Sequence, residues 1–458
     1  MKLNRSLALS SKIQECKSGD ILGMLSEHYP SSVLDVQFDS VTKRNRIFTA
    51  NNTLLTMVLT SVQQDKTLKN SVDLFYIIHQ QRQQAARKEL EQAIEKEQTK
   101  DLQKPKTAGR PKHYAVKLPS SLEKDISLNT AAYSKARDRI PLEMTQKLFE
   151  ASRIEEAEND YTHWRGYQVF IGDGTYLQMQ DTPSIRSEYE VKYNGEGSDG
   201  YPQALLEGVV ERGTGQVFGF KMGNRHVSEL PLFYDLMDEL PAQSILLLDD
   251  LYNCFEILAK SKRLGIEVVV PAKRERNYEV METISKGDEI IRIKTPKNRS
   301  KWLAKNEPAQ NLILRKITCL SSEGTEYILL TTVLNKQINK DEIQQLYLSR
   351  WDIEISIREV KTIMDVNILR SKTPEMALKE LTVSLATYNL IRKMIYQSIK
   401  DMPFSPKEDF IYQFYTFNQD LLVDKKGRVY NRWSTGRRRT KGTPSKTSTT
   451  KTKTKQKV

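Results

Sequence analysis

Cysteine is scarce in this sequence. Its three residues, Cys16, Cys254 and Cys319, lie far apart and form no C-x-x-C pair, and the five histidines show no metal-ligand spacing. Structural zinc sites need clustered Cys and His ligands and disulfide frameworks need many paired cysteines, so neither is expected. A phosphate-binding glycine loop and a serine or cysteine nucleophile pattern are also missing. These absences argue against a zinc domain, a nucleotide cofactor and covalent hydrolases.

Long apolar runs are missing as well. No window approaches the roughly 18 consecutive apolar residues of a membrane-spanning helix, and the mean hydropathy is −0.57. Residues 1–20 lack the apolar centre of a secretory signal. We therefore expect a cytoplasmic protein with no membrane partner. A chain of 458 residues predicts several domains and a sizeable core.

Acidic residues are absent from the C-terminal end of the chain. From Lys425 onward there are thirteen Lys and Arg residues and no Asp or Glu, so this tail accounts for the whole net charge of +13. It has few apolar residues to bury and is expected to be disordered. A flexible polycation suits a nucleic-acid backbone, although acidic proteins and anionic membranes would attract it too.

The N-terminal part shows helical patterns. Apolar residues recur at helical spacing in 52–62 and 71–80, and a charged helical connector follows. Two interpretations fit this pair: a helix-turn-helix that binds DNA, or an ordinary helical bundle. Residues 109–111, Gly-Arg-Pro, match the core of a minor-groove-binding segment or belong to a plain flexible linker.

From Tyr167 the pattern changes to alternating strands and helices. Three strands, a helix, a strand, a helix and a strand are predicted in succession, which gives a mixed α/β sheet with helices on both sides. Three further strand-like runs between 288 and 334 predict a small antiparallel sheet inserted into this domain. Residues from about 341 to 400 are predicted to be helical again.

This order of elements predicts a cluster of carboxylates. Asp173 is predicted to end the first strand, Asp249 or Asp250 ends the fourth, and Glu354 lies on a helix after the fifth. Carboxylates that meet at one edge of a sheet can hold two divalent metal ions about 4 Å apart, with positions left for phosphate and water. We therefore expect a two-metal phosphodiester site at this edge.

Residues 347–361, YLSRWDIEISIREVK, place polar side chains along one stripe. At 3.6 residues per turn, a continuous helix would align Tyr347, Arg350, Glu354, Arg358 and Lys361. One interpretation is a solvated helix face with ion pairs four residues apart. The other is a phosphate-binding surface in which cations surround the metal ligand Glu354.

The spacing Tyr347-x2-Arg350-x3-Glu354-x6-Lys361 resembles the Y-R-E-K signature of bacterial insertion-sequence transposases of the DDE class, in the family named after insertion sequence four. Other segments resemble the same family in the correct order. They are SLNTAAYSKARDRIP, GDGTYLQMQDTP, YPQALLEGVVERGTGQVFGFKMGNRHVSEL and LLLDDLYN. The resemblance spans residues from about 45 to 400.

The resemblance implies a ribonuclease-H-like mixed-sheet core with a β-rich insertion, preceded by an all-helical N-terminal region. It implies Asp173, Asp249 and Glu354 as catalytic residues that bind two Mg²⁺ or Mn²⁺ ions, with Asp250 as a competitor for the second position. The DNA-binding residues expected beside them are Tyr347, Arg350, Arg358 and Lys361. Trp302, in the insertion, either stacks on a flipped base or packs the small sheet.

The expected domains follow from the same resemblance and patterns. They are a helical DNA-binding region with a charged linker at 1–120, the first part of the core at 121–271, the insertion at 272–340, the last part of the core at 341–400, and a C-terminal region with the basic tail at 401–458.

The expected function is that of a nucleoid-associated, cut-and-paste DNA transposase. It would cleave at terminal inverted repeats as an endonuclease, join 3′-hydroxyl ends to target DNA and work as a homodimer in a synaptic complex. Two alternatives share the fold: a nuclease or resolvase that only hydrolyses DNA, and an inactive DNA-binding regulator.

Overall fold

The computed structural model describes most of the chain between residues 47 and 399. The described ranges are 47–63, 65–102, 128–155, 162–189, 200–272, 277–297, 307–321 and 323–399, with a few isolated positions before 47 and between 118 and 126, and two short C-terminal strands. Trp302, residues 109–111 and most of the basic tail lie outside the described residues.

Helices precede the sheet, as predicted. They are α1 (Ala50–Ser61), α2 (Leu68–Leu102), α3 (Thr130–Arg139) and α4 (Leu142–Ala151). The predicted charged connector is the second half of α2. Nine consecutive residues of α1, from Thr53 to Ser61, are buried. A recognition helix must present a face to DNA, so this burial favours the bundle interpretation for α1.

Ten strands of the described chain form one large mixed sheet. They are β1 (His163–Trp164), β2 (Tyr167–Gln178), β3 (Gln203–Glu211), β4 (Val217–Asn224), β5 (Ser244–Leu247), β6 (Glu267–Pro271), β7 (Glu279–Ser285), β8 (Asp288–Lys294), β9 (Asn311–Leu320) and β10 (Glu326–Thr331). Their order is β4-β3-β2-β5-β6-β10-β9-β8-β7, with β1 beside β2.

The first part of this sheet has the predicted topology. β2, β3 and β4 are antiparallel neighbours, whereas β5 is parallel to both β2 and β6. Helices follow β2, β4 and β5. They are α5 (Pro183–Glu188), α6 (Glu229–Leu236) and α7 (Phe255–Leu264). The expected ribonuclease-H-like α/β fold class is therefore confirmed.

Helices cover both faces of the sheet. On one face, Phe170 and Leu246 belong to a core that also contains residues of α6 and α7. On the other face, Val169 and Ile171 belong to a core shared with α1, α4 and the long helix α10 (Pro374–Ile399). Because successive side chains of a strand alternate between faces, the parallel strands β5 and β6 carry apolar side chains toward both faces along residues 245–247 and 268–270.

The strands after β6 are antiparallel neighbours, as predicted, but they continue the main sheet and do not form a small sheet of their own. β10 pairs with β6 through Leu329↔Pro271 and Leu330↔Val270, and β9, β8 and β7 follow outward. β7 was not among the predicted runs. An alternating pattern specifies which face of a strand is buried but not its neighbour, which explains the error.

The stretch that carries the signature residues is also less regular than predicted. α8 (Lys340–Leu348) is followed by a 3₁₀ turn at Ser349–Trp351, helix α9 (Asp352–Arg358) and a π-helical turn at Glu359–Ile363. The single stripe at 3.6 residues per turn is therefore wrong in its geometry, because each change of helix type rotates the side chains that follow.

A second unit, residues 420–458, contains the antiparallel pair β11 (Leu421–Val423) and β12 (Val429–Asn431). Among the helices of the described chain, none has the length and apolarity to cross a bilayer.

Candidate active site

Asp173 and Asp249 lie at the point where β5 leaves the sheet. β2 and β5 are paired in parallel as far as Ile171↔Leu247, and each aspartate follows two residues later. The prediction that the strand ends at Asp173 is wrong, since β2 continues along β3 to Gln178. The departure of β5 therefore opens the sheet beside Asp173.

Local hydrogen bonds orient both carboxylates. Asp173 accepts the N–H of Gly174 at 2.9 Å. Asp249 caps the 3₁₀ turn Asp250–Tyr252 and accepts the N–H of Leu251 at 2.8 Å. A short turn that starts directly after the strand holds Asp249 against the edge of the sheet.

The electrostatic environment of Asp173 favours a cation. Burial raises its pKa above the ordinary value of 3.8, and the charges of Asp249 and Glu354 raise it further. The bond from Gly174 and the charge of Arg350 lower the pKa and offset part of this effect. The ionised form of Asp173 is therefore destabilised in this environment, and a bound divalent ion would offset that destabilisation. Carboxylate oxygens at an open edge suit Mg²⁺ or Mn²⁺.

Glu354 approaches this pair from α9 but has a different partner. Its Oε1 lies 3.7 Å from Nη2 of Arg350, and its side chain is 51% exposed whereas that of Arg350 is 12% exposed. The Arg350 guanidinium also lies 4.8 Å from the ring centre of the exposed Trp351. Glu354 is thus close enough to affect the charge of Asp173 while it is paired with Arg350.

The three predicted metal ligands are therefore only partly assembled. In the part of the chain that the structure describes, no group of three His, Cys, Asp or Glu residues is close enough to hold a metal ion. The fold brings Asp173 and Asp249 together, and it leaves Glu354 beside Arg350.

Two of the predicted DNA-binding residues contact the aspartate strands. The hydroxyl of Tyr347 donates to the carbonyl of Leu248 at 3.3 Å, next to Asp249. Burial raises the pKa of Tyr347 to about 12. Lys361 Nζ donates to Thr175 Oγ1 at 3.0 Å, two residues beyond Asp173 and on the same face of β2. These contacts join the signature segment to both strands.

Arg350 and Arg358 complete the predicted set. Arg358 is exposed on α9, four residues after Glu354. Arg350 is mostly buried beside Glu354, and its charge lowers the pKa of Asp173. Arg350 and Lys361 thus approach the carboxylates from the helical side of the sheet, and Arg358 lies on the exposed face of α9.

Sequence reasoning missed a buried group on the other face of the sheet. Glu207, on β3, is 0% exposed and accepts the hydroxyl of Tyr252 at 2.8 Å. Burial raises the pKa of Glu207 to about 9, and the charges of Glu229, Asp173 and Asp249 add to the shift. The available signal was an acid in the middle of the apolar strand LLEGVV.

Glu229, in the first turn of α6, was missed as well. Burial raises its pKa, and the charges of Asp173 and Asp249 raise it further. Its position beneath Asp173 follows from the hairpin β3–β4, which returns the chain to α6 on that face. Only the tertiary fold reveals this proximity.

The π-helical turn after α9 rests on a buried ion pair. Arg392 Nη2, on α10, bonds Glu359 Oε2, and the two side chains are 5% and 2% exposed. The hydroxyl of Tyr388 lies 2.9 Å from the same oxygen. π turns are frequent at functional sites, and this one begins five residues after Glu354 and contains Lys361.

These features define a class. Residues 164–390 match the family model described as a transposase DDE domain. Among curated proteins, the chain is similar to the transposase InsG for insertion sequence element IS4 of Escherichia coli (strain K12), with 26% identity over 277 residues. The expected relationship to the insertion-sequence-four family is thereby confirmed.

The extent of these matches is limited. The alignment to the InsG transposase covers 59% of this chain and 61% of that protein. Among solved structures, a piggyBac transposase synaptic complex with hairpin DNA matches with a TM-score of 0.33 and 10% identity, over 62% of this chain and 57% of that one. No conclusion about this chain rests on a TM-score of 0.33.

Proposed function

We propose that the protein is a cut-and-paste DNA transposase. It would bind the inverted-repeat ends of its element, cleave phosphodiester bonds there and join the freed 3′-hydroxyls to target DNA. The observation that carries this proposal is the meeting of Asp173 and Asp249 at an open sheet edge, with Glu354 among cations on the adjoining segment. Carboxylates for metals beside cations for phosphates suit phosphodiester chemistry.

We assign Asp173, Asp249 and Glu354 as the groups that would hold two Mg²⁺ or Mn²⁺ ions. Such ions activate the attacking water or 3′-hydroxyl and stabilise the leaving oxygen. Asp249 is preferred to Asp250 because its charge acts on Asp173. Glu354 would release Arg350 and bind the metal ions instead. The released Arg350 would then bind a DNA phosphate.

The remaining assignments concern DNA and assembly. Tyr347, Arg358 and Lys361 would hold the phosphates on either side of the reacting one, and the basic tail would add sequence-independent attraction. Two element ends have to be handled together, so a homodimer at the bacterial nucleoid is the proposed active form. The domain boundaries given above and base stacking by Trp302 belong to the same proposal.

A strand-transfer assay tests the reaction. A double-stranded end with a pre-cleaved 3′-hydroxyl is incubated with target DNA and Mn²⁺, and we expect products joined to the target. Glu354→Gln should abolish cleavage and joining while DNA binding, measured by fluorescence anisotropy, remains. Asp352→Asn, on the same helix, removes the same charge and is the matched control.

Three outcomes would contradict the proposal in different ways. Cleavage without joining would indicate a nuclease or resolvase. DNA binding with no cleavage by the unmodified protein would indicate an inactive regulator. Loss of activity in Asp352→Asn as complete as in Glu354→Gln would show that general damage to α9, rather than a missing metal ligand, explains the result.

A further inference from the structure

Glu207 occupies an unusual position for a carboxyl group. It lies in the middle of β3, is fully buried, and its cross-strand neighbour on β2 is Gly174, the residue after Asp173. Burial of a carboxyl group is costly unless its oxygens are used. Its neighbours in the strand, Leu205 and Val209, are also fully buried, so the position is not an edge where a Glu could reach water.

One oxygen of Glu207 ties β3 to the turn that carries Asp249. Oε1 accepts the hydroxyl of Tyr252, which ends the turn Asp250–Tyr252 and is itself fully buried. The Tyr252 ring packs at 4.7 Å on the ring of Phe233 from α6. This contact fixes the direction of the hydroxyl.

Besides the bond from Tyr347 to the carbonyl of Leu248, the turn is attached to the sheet in two directions. Toward β6 it is held by backbone and amide groups: Leu248 N–H donates to Val269 O at 3.1 Å, and Asn253 Nδ2 donates to Pro271 O at 2.9 Å. Toward β3, the bond from Tyr252 to Glu207 is the attachment that spans β2. It acts beyond the last paired residues of β2 and β5.

The second oxygen of Glu207 lies against the strand that carries Asp173. Oε2 is buried and has no hydrogen-bond partner in the structure. It lies 2.9 Å from the place where a Cβ of residue 174 would be, and the carboxyl carbon of Glu229 lies 2.8 Å from the same place. A side chain at Gly174 would therefore displace both acids.

We propose that Glu207 is a positioning residue for the two aspartates. It lies on the face of the sheet opposite Asp173, holds the Asp249 turn through Tyr252, and rests against the backbone directly after Asp173. These two contacts of Glu207 thereby set the distance between Asp173 and Asp249 from the opposite face of the sheet. This inference rests on the proposed function, because it assigns the pair a shared metal ion.

Direct Mn²⁺ binding, measured by titration calorimetry on the full chain with an element-end DNA duplex, is the primary test. Tyr252→Phe removes the hydroxyl, and Glu207→Leu removes the acceptor. Each should weaken Mn²⁺ binding by about tenfold or more, as is typical when the support of a metal ligand is lost. The conservative Glu207→Gln keeps a carbonyl oxygen for Tyr252 and should restore most of the affinity lost in Glu207→Leu.

The chain offers a matched control. Tyr234 donates its hydroxyl to the buried Glu307 at 2.6 Å in the same core, away from the aspartates. Tyr234→Phe should lower the melting temperature about as much as Tyr252→Phe but leave Mn²⁺ binding unchanged. Equal Mn²⁺ affinity in Tyr252→Phe and Tyr234→Phe would show that the bond from Tyr252 to Glu207 is an ordinary core contact. This result would overturn the inference.

Two further results are decisive. If Glu207→Gln binds Mn²⁺ as poorly as Asp173→Asn, Glu207 is a metal ligand and not a positioning residue. If the unmodified protein binds Mn²⁺ but cleaves no DNA, the transposase proposal fails while calorimetry still tests the role of Glu207. Absence of Mn²⁺ binding by the unmodified protein would refute both.

Discussion

The two sides of the proposed site are built differently. Asp173 stands on β2 and Asp249 comes two residues after β5, and the backbones of these two strands are paired in a fixed register. Glu354 stands on a segment that passes through α-helix, 3₁₀ turn, α-helix and π turn, and its carboxylate is half exposed. The sheet side is preorganised, whereas the helical side can adjust. A site of this kind assembles fully only when the adjustable side has a reason to move.

The largest effect should come from the sheet side. Asp249→Asn is expected to lower the rate of DNA-end cleavage at least 1000-fold, or about 4 kcal/mol, because an amide lacks the charge that a metal ion requires. Asp250→Asn is the matched control one residue away and should keep most of the activity. The opposite result in single-turnover cleavage would move the second ligand to Asp250.

The next effect concerns the support of the helical side. Arg392→Met should lower the free energy of unfolding by about 3–5 kcal/mol, because it leaves Glu359 buried without its partner. Urea denaturation measures this change. The double variant Glu359→Gln/Arg392→Met should recover part of the loss. Arg165→Met breaks an exposed pair with Glu342 and should cost less than about 1 kcal/mol. Similar losses in both single variants would refute the claim that the π turn rests on this ion pair.

The pH dependence of stability sharpens the comparison on the sheet side. The pKa of Glu207 is raised from 4.5 to about 9, so the folded state keeps a proton that the unfolded chain has lost between these values. Stability from this group is complete below pH 4.5 and falls as the pH rises toward 9, by up to about 1.4 kcal/mol per pH unit. Glu207→Gln should remove this slope, and its stability relative to the unmodified protein should increase from pH 5 to pH 8.

The neighbouring acids also contribute to the pH dependence of stability. Glu229 and Asp173 also have raised pKa values, so part of the pH dependence should persist in Glu207→Gln. Glu211→Gln, at another buried carboxyl of β3 that is bonded to Thr214 and Gln216, is the comparison variant. An unchanged slope in Glu207→Gln would show that this group is ionised in the folded protein.

The smallest effect belongs to a single cation. Lys361→Met should weaken DNA binding and reduce the slope of log K against log salt by about 1, since one phosphate contact is lost. Lys336→Met, which removes a cation paired with Glu282 far from the carboxylates in the sheet order, should leave the slope unchanged. Anisotropy titrations at several salt concentrations distinguish the two. Equal slopes would place Lys361 outside the DNA contact.

The order of the core strands could be predicted because each is a buried apolar run. The runs ILL in β5 and VVV in β6 have no polar face, which marks strands covered on both sides. The pairing of β10 with β6 could not be predicted in the same way. Residues 326–331 form a largely apolar run that is compatible with many neighbouring strands, and nothing local identifies Val270 as the neighbour of Leu330.

Individual site residues show the same limit. Asp173 and Asp249 each come shortly after an apolar run, at 169–171 and 245–248, so their proximity follows from the parallel pairing of these runs. The pairing of Glu354 with Arg350 was weighed as a surface ion pair, and the structure contains that pair. The π turn could not be predicted, because its stabilising partner Arg392 lies on another helix. Glu207 escaped notice because burial is a tertiary property.

Because ten strands are hydrogen-bonded into one sheet, a displacement of one strand is transmitted to its neighbours. A load applied to the outer strand β7 passes through successive ladders of amide bonds to β6 and β5, and so reaches the backbone of Asp249. The outer strands therefore form a rigid extension of the core sheet. A molecule bound to them would be held at a constant distance from Asp173 and Asp249.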